Sequence, residues 1–204
     1  KLSLREIVKA VDGKFEGAES ADLDILSVST DTRKITPGSL FIPIKGERFD
    51  GHDFIEAAYA AGAAAVLSEI PASGHECVVT VSDTRKAYLD LASYYRRRFP
   101  VTVVGVTGSV GKTTTKEMIA DVLESQYHTL KTEGNLNNEI GLPATLLQLD
   151  SSYRAAVIEM GMSAFGEISR LSRCAAPNIS VITNIGESHI EYLGSREGIL
   201  KAKL

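Results

Sequence analysis

The sequence predicts an α/β protein in two parts: a small N-terminal α/β domain, then a mostly parallel sheet covered by helices on both faces. Three observations carry that reading. First, the β-branched run Val101-Thr102-Val103-Val104 leads into a glycine-containing turn and then into residues 116–125, which are apolar at helical spacing. Second, strand-like and helix-like segments alternate from residue 101 onwards, the βαβ rhythm of a parallel sheet. Third, several short strands and helices precede Pro100 and end in a helix closed by Arg96-Arg97-Arg98.

In chain order, Ser3-Leu4-Arg5-Glu6 opens a capped helix that ends at Asp12-Gly13. Residues 23–30 alternate as a strand and run into Asp31-Thr32-Arg33. There a hydroxyl and a guanidinium form either a corner for an anionic ligand or a solvated turn. Residues 39–44 read as a strand, followed by the loop Lys45-Gly46-Glu47-Arg48-Phe49-Asp50-Gly51-His52, a ligand edge by its glycines and mixed charge. His52 alone reads as a surface residue at a helix start. A helix over 54–61 closes at Gly62, and strands follow at 64–68 and 78–81. The expected organisation is therefore a domain over 1–83, a connecting helix over 84–100 and a second domain over 101–204. The three arginines suit either an interaction patch or the negative end of that helix.

In the second domain a helix to about residue 126, a polar stretch and a helix over 140–149 are expected. A strand over 155–159, a helix over 165–174, a strand over 179–183 and a helix from about 195 follow. A net charge of −4 argues against a nucleic-acid or membrane-surface binder, which needs a basic field. No apolar run is long enough to cross a bilayer, and the charged start is unlike a signal peptide, so a cytoplasmic protein is expected. Cys77 and Cys174 lack metal-type spacing and read as buried thiols.

The chemistry concentrates at strand ends. Thr107-Gly108-Ser109-Val110-Gly111-Lys112-Thr113-Thr114 sits between strand and helix, where backbone N–H groups and the helix N-terminus make an anion site. Gly108, Ser109, Val110 and Gly111 would cradle phosphates, Lys112 would add a point charge, and the Thr113 hydroxyl would face Mg²⁺, with Thr114 next in the helix. The match to the strict phosphate-loop pattern is imperfect, since Val106 stands where its first glycine belongs. Glu159 ends an apolar strand and either shares that Mg²⁺ or caps the next helix. Asn184 and His189 follow another strand, in Asn184-Ile185-Gly186-Glu187-Ser188-His189. Asn137 and Asn138, in Asn135-Leu136-Asn137-Asn138-Glu139-Ile140-Gly141, are ligand residues or turn and N-cap residues.

Taken together, Asp31-Thr32-Arg33, Lys45-Gly46 with Asp50-Gly51-His52, the phosphate loop, the asparagine segment and Asn184 to His189 make the whole chain resemble the Mur ligase family. The resemblance implies an N-terminal domain that holds a UDP-linked substrate, a central ATPase domain, and a C-terminal domain that closes over ATP. Leu204 would then fall inside the central domain, so the chain would be a piece of such an enzyme.

Within the family the asparagine segment and Glu159-Met160-Gly161-Met162 most resemble the branch that joins D-alanyl-D-alanine to UDP-N-acetylmuramoyl-tripeptide. That reaction uses ATP and Mg²⁺ and passes through an acyl phosphate. The resemblance puts Lys112, Glu159, His189 and Lys203 at the catalytic centre, with Thr113 and Glu159 on one Mg²⁺ and His189 on a second. A carbamylated Lys203 would complete the second site. It puts Asn184 beside the adenine, and Thr32, Arg33, Lys45, Gly46, Glu47, Arg48, Phe49, Asn137 and Asn138 along the UDP substrate. A monomer that neither binds nucleic acid nor enters the membrane is expected. The alternatives are a sister ligase that adds a diamino acid, a folylpolyglutamate-type ligase, a nucleotide-binding module without turnover, and a P-loop switch protein. The Asp31-Thr32-Arg33 segment with Lys45-Gly46 speaks against the folate branch.

Overall fold

A computed structural model describes residues 1–15, 22–46, 49–70, 75, 77–186 and 195–203, without the side chains of Arg196 and Lys203. The chain forms two compact units, Lys1–Leu91 and Ala92–Leu204.

In the first unit β1 (Leu2–Ser3) pairs antiparallel with β2 (Asp24–Ile25). Helix α1 (Leu4–Ala10) starts with the expected reciprocal cap: Ser3 Oγ accepts from Glu6 N at 3.3 Å, and Glu6 Oε2 accepts from Ser3 N at 2.8 Å. The alternating run over 23–30 is two strands rather than one. β2 belongs to the small sheet, whereas β3 (Ser27–Ser29) pairs in a separate parallel sheet. Leu26, between them, is exposed and donates its N–H to Gly38 O. The second sheet has the order β3, β4 (Ser39–Phe41), β5 (Ala63–Ser68), β6 (Val78–Thr80), all parallel. β4 stops short of Pro43, which has no N–H for a ladder. A short 3₁₀ turn, Gly51–Phe54, precedes α2 (Ile55–Ala60). Ile55 and Ala58 of that helix pack on Phe41, Ala63 and Val66 of the sheet.

Helix α3 spans Thr84–Arg96, within the 84–100 stretch that the sequence reads as a connecting helix, and the division between the units falls inside it, after Leu91. Arg96 does not form a surface patch. It is buried, and its guanidinium donates to Val101 O at 3.0 Å, to Phe99 O, and to Ala175 O at 2.9 Å and Ala176 O at the end of a later helix.

The second unit carries a parallel sheet in the order β10 (Ile179–Ile182), β7 (Thr102–Thr107), β9 (Ala155–Glu159), β8 (Thr129–Lys131). β8 lies in the stretch that reads as polar in sequence; it is short and earns its place by pairing with β9. Helix α4 (Lys112–Glu124) follows β7 and lays Ala120, Ile119 and Leu123 against Val104, Val106 and Val157. α5 (Gly141–Leu146), α6 (Glu167–Ala175) and α7 (Arg196–Lys203) complete the described helices of this unit, and α7 packs on α6. From β7 the chain builds β8 and β9 on one side of the strand, then crosses to place β10 on the other. β7 is therefore the switch point of the sheet, and the carboxyl end of such a strand is where ligands bind in open α/β sheets. Among the described residues no helix is long and apolar enough to cross a membrane. Cys77 is half-buried and Cys174 buried, and the two do not form a disulfide.

Candidate functional site

The loop after β7 is built from backbone that only glycine adopts without strain. Gly108 has φ +147°, and a Cβ there would fall on Thr183 Oγ1; Gly111 has φ +81° and immediately precedes α4. No side chain caps the helix at Gly111. The first-turn amides of α4 thus open toward the loop with the positive end of the helix dipole behind them, a built site for phosphate. Lys112 Nζ reaches back over the loop to Gly108 O at 2.9 Å.

The far wall comes from the segment after β10. Asn184 Oδ1 accepts from Ser109 N at 3.1 Å and Val110 N at 3.0 Å. Thr183 Oγ1 donates to Val110 O at 2.6 Å, and Gly186 N donates to Ser109 Oγ at 2.9 Å. In this arrangement the Ser109 and Val110 amides are turned to Asn184, leaving Gly111 and the start of α4 nearest the mouth.

Beside Gly111, α4 meets the end of β9. Thr113 Oγ1 donates to Glu159 Oε2 at 3.0 Å, and Asn137 Nδ2 donates to Glu159 Oε1 at 2.7 Å. Glu159 N donates to Thr132 Oγ1 at 2.9 Å. Glu159 is 2% exposed, and both carboxylate oxygens face defined donors. The sequence leaves Asn137 as a ligand residue or a turn and cap residue, and the resemblance puts it along the substrate; in the structure its side-chain amide donates to Glu159, and its backbone carbonyl accepts from Gly161 N at 2.8 Å. Asn138 Oδ1 accepts from Ile140 N at 3.0 Å and Gly141 N at 2.8 Å, which is the turn and capping role weighed for it, at the start of α5. No sequence signal pointed to Thr132, Asn137 or Thr183 as organisers, because each acts through a partner remote in sequence.

Among the described residues no three His, Cys, Asp or Glu side chains cluster as a ready metal cage. The donor set nevertheless fits Mg²⁺ bound with a nucleotide. Thr113 and Glu159 present a hydroxyl and a carboxylate, both hard oxygens, at the mouth of a phosphate loop, and Mg²⁺ takes one or two carboxylates and completes its shell with phosphate and water.

In the first unit the sequence-predicted residues fall in two places. Thr32 and Arg33 lie in a 3₁₀ turn, Thr32–Lys34, capped by Asp31. Asp31 Oδ1 accepts from Arg33 N at 3.0 Å and Arg33 Nε at 2.9 Å, and Oδ2 accepts from the second guanidinium nitrogen at 2.8 Å. These hydrogen bonds from Arg33, side chain first, lower the Asp31 pKa to about 2. The Lys45 loop is folded on itself: Gly46 N donates to Phe49 O at 3.0 Å, and the exposed Phe49 ring covers Gly46.

His52 is not the surface residue expected. Its ring is buried, Nδ1 lies 2.6 Å from Asp50 Oδ1, and Nε2 accepts from Glu69 N at 3.1 Å. An acceptor Nε2 fixes Nδ1 as the protonated nitrogen that donates to Asp50. Glu69 Oε1 in turn accepts from Thr84 N at 2.8 Å and Thr84 Oγ1 at 3.0 Å, and Arg85 donates to Lys45 O at 3.1 Å. A cavity of about 290 Å³ is lined by Lys45, Glu69, Asp83, Thr84 and Arg85. Glu47, Arg48, His189 and the side chain of Lys203 lie outside the described residues.

The second unit, with a phosphate loop at the switch point and an oxygen pair at its rim, defines a P-loop α/β protein. The chain belongs to the Mur ligase family: residues 106–204 match the Mur ligase middle domain, and residues 24–102 match the model described as Mur ligase family, catalytic domain. The UDP-N-acetylmuramoyl-tripeptide--D-alanyl-D-alanine ligase of Bacillus subtilis is 51% identical over 208 residues, covering 100% of this chain and 45% of the relative. The crystal structure of MurF from Acinetobacter baumannii superposes with a TM-score of 0.93 at 37% identity, covering 98% of this chain and 45% of that one. MurF ligase from Thermotoga maritima in complex with ADP superposes with a TM-score of 0.83 at 37% identity, covering 89% of this chain and 43% of that one. The chain thus spans somewhat under half the length of the relatives it matches.

Proposed function

We propose that this chain is the substrate- and ATP-binding portion of a MurF-type ligase, which joins D-alanyl-D-alanine to UDP-N-acetylmuramoyl-tripeptide in the cytoplasm during peptidoglycan synthesis. ATP phosphorylates the terminal carboxylate of the peptide to an acyl phosphate, releasing ADP. The amine of D-alanyl-D-alanine then attacks the acyl carbon, forming the amide and expelling phosphate. The protein's share is positioning and charge neutralisation.

Lys112 and the amides at the start of α4 hold the β- and γ-phosphates. Thr113 and Glu159 would hold Mg²⁺, which would supply neutralisation of phosphate charge when bound. Asn137 keeps Glu159 turned toward Thr113. Asn184 holds the loop from behind and, by the family resemblance, borders the adenine. Thr32, Arg33 and the Lys45 to Phe49 loop receive the UDP moiety, with His52 and Asp50 fixing the base of that loop. The roles of His189 and of a carbamylated Lys203 at a second Mg²⁺ rest on the resemblance alone.

The observation that carries the proposal is the Thr113–Glu159 hydrogen bond at the mouth of the phosphate loop, in a chain whose relatives bear the ligase name. The test is Lys112→Ala in the enzyme at the full length of its relatives. ATP turnover should be abolished while the UDP substrate binds within about tenfold of the parent. Equal loss of both would refute the division of labour between the two units, and retained turnover would refute the assignment of the loop.

A further inference from the structure

The inward face of α4 presents two buried residues one turn apart, Lys116 and Ala120. Ala120 packs on the sheet as an apolar residue should, but Lys116 is 1% exposed. Burying an ammonium is costly unless it is fully engaged, and a methionine or leucine would fill the same space without that cost. Here the ammonium is engaged: Nζ donates to Thr132 O at 2.6 Å and lies 2.7 Å from Glu117 Oε1.

Thr132 links that ammonium to the site. It is fully buried at the end of β8, its N–H donates to Val157 O at 3.0 Å, and its hydroxyl accepts from Glu159 N at 2.9 Å. From Thr132 the chain departs into the loop that carries Asn137, the second donor to the Glu159 carboxylate. On α4, Lys116 lies one turn after Thr113, which is the first donor. A single buried cation thus ties the helix bearing Thr113 to the strand end that supports Glu159.

We propose that Lys116 is a positioning residue for the Thr113–Glu159 oxygen pair: it reads no substrate, but fixes the distance between the helix and strand that carry the two Mg²⁺ ligands. The proposal rests on the reading of Thr113 and Glu159 as those ligands. Groups that orient metal ligands from behind typically change metal affinity or activity by about 10- to 100-fold when removed.

The experiment uses the enzyme at the full length of its relatives and titrates Mn²⁺, a spectroscopic substitute for Mg²⁺, by electron paramagnetic resonance in the presence of a non-hydrolysable ATP analogue. Lys116→Met should weaken Mn²⁺ binding about tenfold while UDP-substrate affinity stays within about twofold. Lys116→Gln, which keeps a donor for Thr132 O, should recover most of the loss. Thr132→Val, which cannot accept from Glu159 N, should weaken Mn²⁺ binding, and Thr132→Ser should not. These Thr132 variants, one without the hydroxyl and one that keeps it, keep the test alive if Lys116→Met folds poorly. Glu159→Gln separates the two layers. If it leaves Mn²⁺ affinity unchanged, the ligand assignment falls. If it weakens binding while Lys116→Met and Thr132→Val do not, the ligands stand and the positioning role is overturned. Loss of UDP binding and Mn²⁺ binding in parallel with a lowered unfolding midpoint would likewise overturn it, in favour of a purely structural lysine.

Discussion

Thr113 and Glu159 stand 46 residues apart in the chain, yet hydroxyl and carboxylate meet at 3.0 Å where α4 begins and β9 ends. Each is delivered by a rigid element, so their separation is set by the packing of α4 on the sheet and not by a loop. On the proposed reading, in which the two would hold one Mg²⁺, they should not act independently. Thr113→Val and Glu159→Gln should each lower kcat/KM for ATP about 10- to 100-fold, and the double variant should lose little more than the worse single. Losses that multiply would show that the two side chains serve separate steps.

The two glycines of the phosphate loop should respond differently to a methyl group. At Gly108 a Cβ would collide with Thr183 Oγ1, which itself donates to Val110 O, so Gly108→Ala must displace the wall of the loop. At Gly111 nothing lies within 4 Å, and the only penalty is the left-handed backbone, about 1 kcal/mol. Gly108→Ala should therefore abolish nucleotide binding and cost clearly more stability than Gly111→Ala. Urea unfolding and ATP-analogue titration of both variants check this, and equal stability costs would contradict it.

How much of this was legible in sequence follows from how local each signal is. The phosphate loop announces itself because glycines, lysine and threonines fall between a β-branched strand and an amphipathic helix within a dozen residues. β8 did not, since Thr129-Leu130-Lys131 is too short to alternate and exists by pairing with β9. Lys116 reads as one more charge on a helix, and only the packing turns that position inward. Asn137 sits among residues that favour turns, so its partnership with Glu159, 22 residues on, is invisible until the strands are ordered. His52 was misplaced for the same reason: Asp50 is a neighbour in sequence, but the Glu69 amide that fixes its ring comes from the end of β5.

Asp31 gives a pH dependence whose sign is set by its hydrogen bonds from Arg33. Its folded pKa is lowered from 3.8 to about 2, so the unfolded chain binds the proton more readily. The contribution to stability is fully present above pH of about 4 and fades as the pH falls toward about 2. Asp31→Asn should flatten that part of the acid-unfolding profile and leave stability near neutral pH less altered than removal of a buried group would, since the pair is exposed. An unchanged profile between pH 4 and pH 2 would mean that the Arg33 bonds do not persist in solution.

Arg96 and Arg97 are adjacent in sequence and opposite in consequence. Arg96 is buried, and its guanidinium serves the carbonyls of Phe99, Val101, Ala175 and Ala176; the bonds to Val101 and Ala175 are buried, so those two carbonyls have no water to turn to if it is removed. Burial also depresses the Arg96 pKa, yet an arginine stays charged across the working range, so these are charge-assisted bonds. Arg97 is exposed and donates to Ser93 O and Arg173 O at the surface. Leaving buried acceptors unmet costs about 1–3 kcal/mol, so Arg96→Met should lower stability by at least that much, whereas Arg97→Ala should stay within about 0.5 kcal/mol. Urea unfolding reads both as a shift of midpoint at constant slope. Arg96→Lys should recover only part of the loss, because three donors on one nitrogen cannot reach carbonyls spread across the planar fork of a guanidinium. Equal midpoints for the Arg96 and Arg97 variants would mean that the buried bonds of Arg96 contribute nothing beyond those of a solvated arginine at the helix end.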